Sequence, residues 1–161
     1  MGVSGSGKST IGALLAERLA LPFADADAFH PPSNVQKMSE GTPLTDADRA
    51  PWLDALGAWL VAQPAGGVIA CSALKRAYRD RLRAAAPGLR VVHLAGVAGV
   101  IGARQAARVD HFMPVSLMAS QFATLEAPGA DEAALILDIA TPPEALIAQV
   151  VAQLRQGALG C

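Results

Sequence analysis

A chain of 161 residues, 52% of them hydrophobic and 17% charged, has the apolar content of one folded domain and excludes general disorder. Its formal net charge of −1 provides no global basic field, so nucleic acid is not an expected partner and any anion site must be local. The two cysteines make no disulfide framework, and neither a signal peptide nor a membrane-spanning run is visible, so we expect a cytoplasmic protein without a membrane partner.

The chain opens with a glycine-rich loop followed by a helix. Residues 2–9, GVSGSGKS, fit the phosphate-loop pattern G-x-x-x-x-G-K-[ST], whose backbone amides cradle a polyphosphate. Lys8 can reach β- and γ-phosphate oxygens, the Ser9 hydroxyl can ligate Mg²⁺, and apolar residues at helical spacing predict a helix from Lys8 to Leu19. The predicted nucleotide-binding residues are Gly2, Val3, Ser4, Gly5, Ser6, Gly7, Lys8, Ser9 and Thr10.

A short strand is predicted at residues 22–25, and it ends in the run Asp25-Ala26-Asp27. Side chains two positions apart project from one face of a strand, so both carboxylates can point to the same side. A kinase needs one carboxylate to hold Mg²⁺ waters and another to orient or deprotonate the acceptor hydroxyl. A solvated turn is the alternative, because Asp is common in turns. His30 follows closely, and both a structural and a substrate-binding role are open for it.

The middle of the chain adds a helix, a strand and a basic helix. A polar, turn-rich segment at 42–49 precedes a helix that Pro51 opens, and the apolar run 68–71 predicts a buried parallel strand. The next helix starts near Lys75 and carries Lys75 and Arg79 on one face. Because open α/β sheets bind ligands at the carboxyl ends of their strands, these cations are candidates for an anionic substrate. A solvated basic face is the alternative.

The last third repeats the strand–helix alternation with one interruption. A strand at 89–94 and a helix at 97–108 precede the interruption at 109–114 and a helical stretch at 115–125. Arg104 and Arg108, one turn apart, suit a mobile lid at about 104–125 that offsets charge developing during transfer, with simple salt bridging as the alternative. A strand at 135–139 and a final helix complete a pattern that predicts one α/β domain, residues 1–161, with a parallel sheet and helices on both faces.

Six stretches of the chain together carry a resemblance to a known family. They are GVSGSGKST, DADAFHPPSNVQKMSEGTPLTDADRAPWL, CSALKRAYRDRLR, HFMP, SQFATLEAP and DE at 131–132. The phosphate loop is shared by many enzymes, whereas the remaining stretches, in this order, are far more specific. They resemble the bacterial-type gluconokinases, small P-loop kinases that phosphorylate D-gluconate on its 6-hydroxyl with ATP and Mg²⁺.

The resemblance implies a nucleoside-monophosphate-kinase-like P-loop fold with a five-stranded parallel sheet of order 2-3-1-4-5. It implies gluconate and ATP as small-molecule partners and leaves a homodimer open.

The resemblance also implies roles for individual residues. Lys8 would hold the β/γ oxygens of ATP, Ser9 would bind Mg²⁺, Asp25 would hold a Mg²⁺ water, and Asp27 would engage the acceptor hydroxyl. The remaining candidates are cations: Arg49, Lys75 and Arg79 for the carboxylate and hydroxyls of the acceptor, and Arg104 and Arg108 for the lid.

Two alternatives differ from this assignment. One is another small-metabolite kinase of the same fold, acting on shikimate or a nucleotide. A neutral or nucleoside acceptor would leave Lys75 and Arg79 without an evident role. The other is a nucleotide-binding module without transfer activity. ATP consumption with and without gluconate separates them.

The N-terminus departs from the family pattern, because members carry an apolar strand before the position of Met1. In the implied sheet this first strand lies at the centre, between the strands at 68–71 and 89–94. Its loss would remove backbone partners and several buried side chains worth about 1.5–3 kcal/mol each. We therefore expect about five or more apolar residues to be encoded before Met1. We also expect a form extended in this way to melt higher and bind ATP more tightly than a protein begun at Met1.

Overall fold

A computed structural model describes residues 1–106 and 115–158 of the chain. Strands and helices alternate along it, as the hydrophobic pattern predicts. The strands are β1 (Phe23–Asp25), β2 (Val68–Ala70), β3 (Val92–Ala95) and β4 (Leu135–Asp138). The helices are α1 (Lys8–Leu19), α2 (Pro32–Ser39), α3 (Asp46–Val61), α4 (Arg76–Ala85), α5 (Ala98–Ala106), α6 (Val115–Thr124) and α7 (Pro143–Ala158), with 3₁₀ turns at Ala26–Phe29 and Ala130–Glu132.

The strands form two parallel pairs, β1 with β2 and β3 with β4. Within the described ranges no strand pairs with both β2 and β3, but the backbone of Met1 and Gly2 passes between them. The Met1 amino group donates to the carbonyl oxygen of Val92, and Met1 oxygen accepts from the amide of Leu94 at 2.9 Å. On the other side the Gly2 amide donates to Ser72 oxygen at 3.2 Å. The two pairs therefore flank the start of the phosphate loop, as the predicted sheet order requires.

A cavity of about 470 Å³ lies behind Met1, between the facing edges of β2 and β3. Its apolar lining comes from both strands and from the helices that cover them. The core is correspondingly divided into two clusters. One is built on α1, α7, β3 and β4, and the other on α3, α4 and the end of β2. Side chains that line the cavity include Ile11, Leu15, Leu56, Ile69, Leu94 and Val150.

Helix α3 begins earlier than the sequence prediction placed it. The segment 42–49 was expected to be a turn and Pro51 to open the helix, whereas α3 starts at Asp46 and contains Pro51. The cause is a capping box, in which the Thr45 hydroxyl accepts from the Asp48 amide and the Asp48 carboxylate accepts from the Thr45 amide. This reciprocal pair satisfies backbone donors that a helix start otherwise leaves unpaired. As a result, Asp46 and Arg49 belong to a helix rather than to a loop.

Strand β1 ends at Asp25, and the chain turns into a 3₁₀ segment that contains Asp27. The prediction that both aspartates project from one face of a strand is therefore wrong, because Asp27 lies beyond the extended backbone.

Among the described residues, no helix combines the length and apolarity that a membrane span requires.

Candidate active site

The phosphate loop runs from the gap between β2 and β3 to the first turn of α1. Gly7 caps α1 in a left-handed conformation with φ of 92°, which a residue with a side chain rarely adopts. At Gly2 a Cβ atom would lie 2.8 Å from the carbonyl oxygen of Leu94, so only glycine allows the loop to pass this close to β3. The loop conformation therefore explains why both fixed glycines of the phosphate-loop pattern, Gly2 and Gly7, are needed.

Two hydrogen bonds hold the loop in shape. The Lys8 ammonium donates to Val3 oxygen at 3.0 Å, and the Ser4 amide donates to Gln121 Oε1 at 2.6 Å. Gln121 lies on α6, 117 residues away along the chain, and was not among the predicted site residues. It does fall within the SQFATLEAP stretch that carries the resemblance, which was the one available signal. Helix α6 thus contacts the loop that the sequence assigns to ATP.

Asp25 connects the phosphate loop helix to the 3₁₀ turn. Its Oδ2 accepts from the Ser9 hydroxyl at 2.6 Å, and its Oδ1 accepts from the Asp27 amide at 3.1 Å. The structure therefore brings Ser9, Asp25 and Asp27 together at the carboxyl end of β1. A hydroxyl and a carboxylate in contact suit Mg²⁺, which usually takes one or two protein ligands and completes its shell with phosphate oxygens and water. The described residues contain no group of three or more His, Cys, Asp or Glu side chains that could hold a metal ion.

His30 packs beside this turn against the first part of α3. Its ring stacks on Trp52 with centroids 4.6 Å apart and an interplanar angle of 10°. Trp52 Nε1 in turn donates to Ala26 oxygen at 2.7 Å. Burial lowers the pKa of His30, Asp27 acts in the opposite direction, and Arg49 lowers the pKa further. These contacts give His30 a clear packing role, and its contact with substrate stays a prediction.

The start of α4 faces the start of α3 through a polar cluster. Lys75 Nζ lies 2.8 Å from Oδ1 and 2.7 Å from Oδ2 of Asp46, and the Tyr78 hydroxyl donates to the same carboxylate. Arg49 Cζ lies 5.9 Å and Lys75 Nζ 5.6 Å from the centroid of the Tyr78 ring. The structure therefore brings the predicted residues Arg49 and Lys75 together around a tyrosine that sequence reasoning did not single out.

Arg79 has different surroundings from Lys75, although both were predicted to face an anionic substrate. Its side chain is 1% exposed, whereas that of Lys75 is 32% exposed. Arg79 Nε and Nη2 donate to the two carboxylate oxygens of Glu132 at 2.6 and 2.7 Å, and Nη1 donates to the carbonyls of Ala73 and Leu74. All three guanidinium nitrogens are engaged, so this geometry gives Arg79 a role in fixing the turn before Lys75.

The remaining predicted cations concern the lid. Arg104 falls within α5, and Arg108 lies outside the described residues, as does the interruption at 109–114. The lid at about 104–125 and the roles of both arginines stay predictions.

This chain is similar to several known proteins. A family model for shikimate kinase matches residues 4–115. A gluconokinase of Gluconobacter oxydans is 47% identical over 154 residues, which cover 94% of this chain and 86% of that protein. The thermoresistant gluconokinase of Escherichia coli is 44% identical over 98% of this chain and 92% of its own length.

A solved structure agrees with these relatives. A gluconokinase from Sinorhizobium meliloti superposes with a TM-score of 0.85 at 47% identity, covering 98% of this chain and 94% of that one. The fold is therefore that of the P-loop kinases, α/β with parallel strands, and the glycine-rich loop is a nucleotide-binding loop. Identity at this level over nearly the whole chain shows that the protein is a kinase and belongs to the gluconokinase family.

Proposed function

We propose that this chain transfers the γ-phosphoryl group of ATP to the 6-hydroxyl of D-gluconate, giving 6-phosphogluconate and ADP. The observation that carries the proposal is the placement of Asp25 and Asp27 at the end of β1, beside Ser9 and next to the end of β2, which leads to Lys75. The residues proposed to bind phosphate, to act as the base and to bind the acceptor therefore lie at one edge of the sheet. This is the edge at which open α/β sheets bind ligands.

The reaction needs one bond to form and one to break. The acceptor oxygen attacks the γ-phosphorus, the bond to the β–γ bridging oxygen breaks, and the hydroxyl proton passes to the Asp27 carboxylate. Little further covalent chemistry is required, so positioning and charge neutralisation supply most of the catalysis. Mg²⁺, when bound by Ser9 and a water on Asp25, would neutralise charge on the β- and γ-phosphate oxygens.

The chain's own residues supply the rest. The phosphate loop and the Lys8 ammonium hold the phosphates. Gln121 braces the loop through the Ser4 amide. Arg49 and Lys75 engage the acceptor's carboxylate, with charge-assisted hydrogen bonds that a neutral sugar cannot make. Arg104 and Arg108 are the residues proposed to offset the charge that develops during transfer.

A coupled ADP-release assay tests the proposal with ATP, Mg²⁺ and a set of acceptors: gluconate, glucose, shikimate and none. Gluconate is expected to give turnover well above the others. Shikimate belongs in the set because the shikimate kinase model covers residues 4–115. Lys8→Ala, which removes the phosphate-loop cation, should nearly abolish turnover while the circular-dichroism spectrum stays unchanged. Equal turnover with glucose and gluconate would refute the acceptor assignment, and near-normal turnover of Lys8→Ala would refute the site.

A further inference from the structure

The Asp46 carboxylate accepts hydrogen bonds from two groups, Lys75 Nζ and the Tyr78 hydroxyl, that the carboxylate of the proposed acceptor would also use. Both of its carboxylate oxygens lie within 2.8 Å of Lys75 Nζ, and Oδ1 also accepts from the Tyr78 hydroxyl. An ammonium and a hydroxyl aimed at one carboxylate are the contacts that a sugar acid would need. The Asp46 side chain thus has the chemistry of the acceptor's own carboxylate.

The cluster carries more positive than negative charge. Arg49 and Lys75 both lie near the Tyr78 ring, and Asp46 is the acid that contacts this group among the residues described. Hydrogen bonds from Lys75 and then from Tyr78 lower the pKa of Asp46, so its carboxylate is charged at neutral pH. Two cations with one anion leave an excess charge that attracts a second anion.

The contact between Asp46 and Lys75 is exposed enough to exchange. The Asp46 side chain is 62% exposed and that of Lys75 is 32% exposed. Ion pairs at the surface are weak, because water solvates both partners and salt screens them. A dissolved carboxylate can therefore replace Asp46 on Lys75 without leaving a buried charge behind.

We propose that Asp46 is a resident competitor, whose carboxylate must leave Lys75 and Tyr78 before the acceptor's carboxylate can bind them. The inference rests on the proposed function, and it concerns how tightly that site holds its acceptor. Asp46 contacts no reacting atom in this arrangement, so it acts on the acceptor only by binding Lys75 and Tyr78 in its place. Its charge is expected to raise the KM for gluconate and to leave kcat unchanged.

The chain offers a matched control on the same two helices. Asp54 of α3 pairs with Arg81 of α4, with contacts of 2.6 and 2.7 Å, and its side chain is 58% exposed. Asp54→Asn removes an α3–α4 ion pair of the same kind without touching Lys75 or Tyr78. Any loss of stability common to such pairs is therefore measured by this variant.

The experiment compares the steady-state kinetics of wild type, Asp46→Asn, Asp46→Ser and Asp54→Asn. Both Asp46 variants should lower the KM for gluconate about two- to fivefold, the size expected for an exposed ion pair. Their kcat and their KM for ATP should match wild type, and Asp54→Asn should leave all three constants unchanged. Serine is included as a second uncharged polar replacement, so that one variant should fold if the other does not.

A KM for gluconate that is unchanged or raised in both Asp46 variants overturns the inference, because Asp46 would then hold Lys75 in place for the acceptor. If wild type transfers no phosphate to gluconate, the proposed function has failed. Calorimetric titration of gluconate into wild type and Asp46→Asn then still decides the inference. Tighter binding by the variant supports competition, and equal, weaker or absent binding contradicts it.

Discussion

Two ion pairs near the start of α4 use cations four residues apart, yet they differ in almost every physical respect. Lys75 meets Asp46 at the surface, where the carboxylate is 62% exposed. Arg79 meets Glu132 in the interior, where both side chains are 1% exposed. Surface pairs contribute about 0–1 kcal/mol, whereas breaking a buried pair costs about 3–5 kcal/mol because a charge is left uncompensated. The surface pair can therefore exchange its partner for a substrate, and the buried pair serves to hold the fold.

The largest expected effect follows from breaking the buried pair. Glu132→Ala leaves the Arg79 guanidinium buried without its carboxylate and also removes the nearer of the two carboxylate partners of Arg83 Nη1. We expect a loss of about 3–5 kcal/mol in the free energy of unfolding, measured by urea denaturation. Asp46→Ala is the matched change at the surface and should cost much less, because water solvates both partners of that pair. Equal losses of unfolding free energy for the two variants would show that the Lys75–Asp46 and Arg79–Glu132 pairs do not differ in their contribution to stability.

The pKa of Glu132 gives the buried pair a defined dependence on pH. Hydrogen bonds from Arg79, and then from Arg83, hold this pKa far below its ordinary value of 4.5. A lowered pKa in the folded state means that the stabilisation is fully present above the unfolded pKa and is lost as the pH falls toward the folded one. Urea denaturation at pH 7, 5 and 3 should therefore show the stability gap between wild type and Glu132→Gln shrinking below about pH 4.5. A gap that is constant over this range would contradict the assignment.

The smallest expected effect on stability belongs to the surface cation, Lys75, whose proposed role is to bind the acceptor. Lys75→Ala should leave the melting temperature nearly unchanged but raise the KM for gluconate about tenfold or more, because a charge-assisted hydrogen bond to the acceptor is lost. The KM for ATP should not change. The same change at Arg81, which pairs with Asp54 on the same helices, is the control and should alter neither KM. A Lys75→Ala variant with an unchanged KM for gluconate would contradict the proposed role of Lys75 in binding the acceptor.

Local patterns in the sequence predicted the phosphate loop, α1 and the places of the four strands. Each of these is encoded by neighbouring residues: the glycine pattern at 2–7, helical spacing after Lys8, and short apolar runs bounded by turns. The order of the strands came from the resemblance, and the position of Met1 between β2 and β3 agrees with it. The early start of α3 was missed although Thr45 and Asp48 form a recognisable capping pair, because Pro51 was read as the first helical residue.

Partners distant in sequence could not be predicted in this way. Spacing placed Lys75 and Arg79 on one helix face. It could not show that Arg79 is buried in a pair with Glu132, which lies 53 residues later in the chain. Gln121 reaches the phosphate loop across 117 residues, and no local pattern links it to Ser4. Which charged side chain is free to bind a ligand is decided by tertiary packing, so it becomes visible only in the folded chain.

The direct test of whether Asp27 accepts the proton of the acceptor hydroxyl is the single-turnover transfer of phosphate from ATP to gluconate by Asp27→Asn, compared with Asp25→Asn. Loss of a general base typically costs a factor of about 10²–10⁴, so Asp27→Asn should transfer phosphate that much more slowly while binding ATP normally. Asp25→Asn should instead require a higher Mg²⁺ concentration. Equal and mild effects from both changes would show that the two aspartates form only a solvated turn and that the acceptor lies elsewhere.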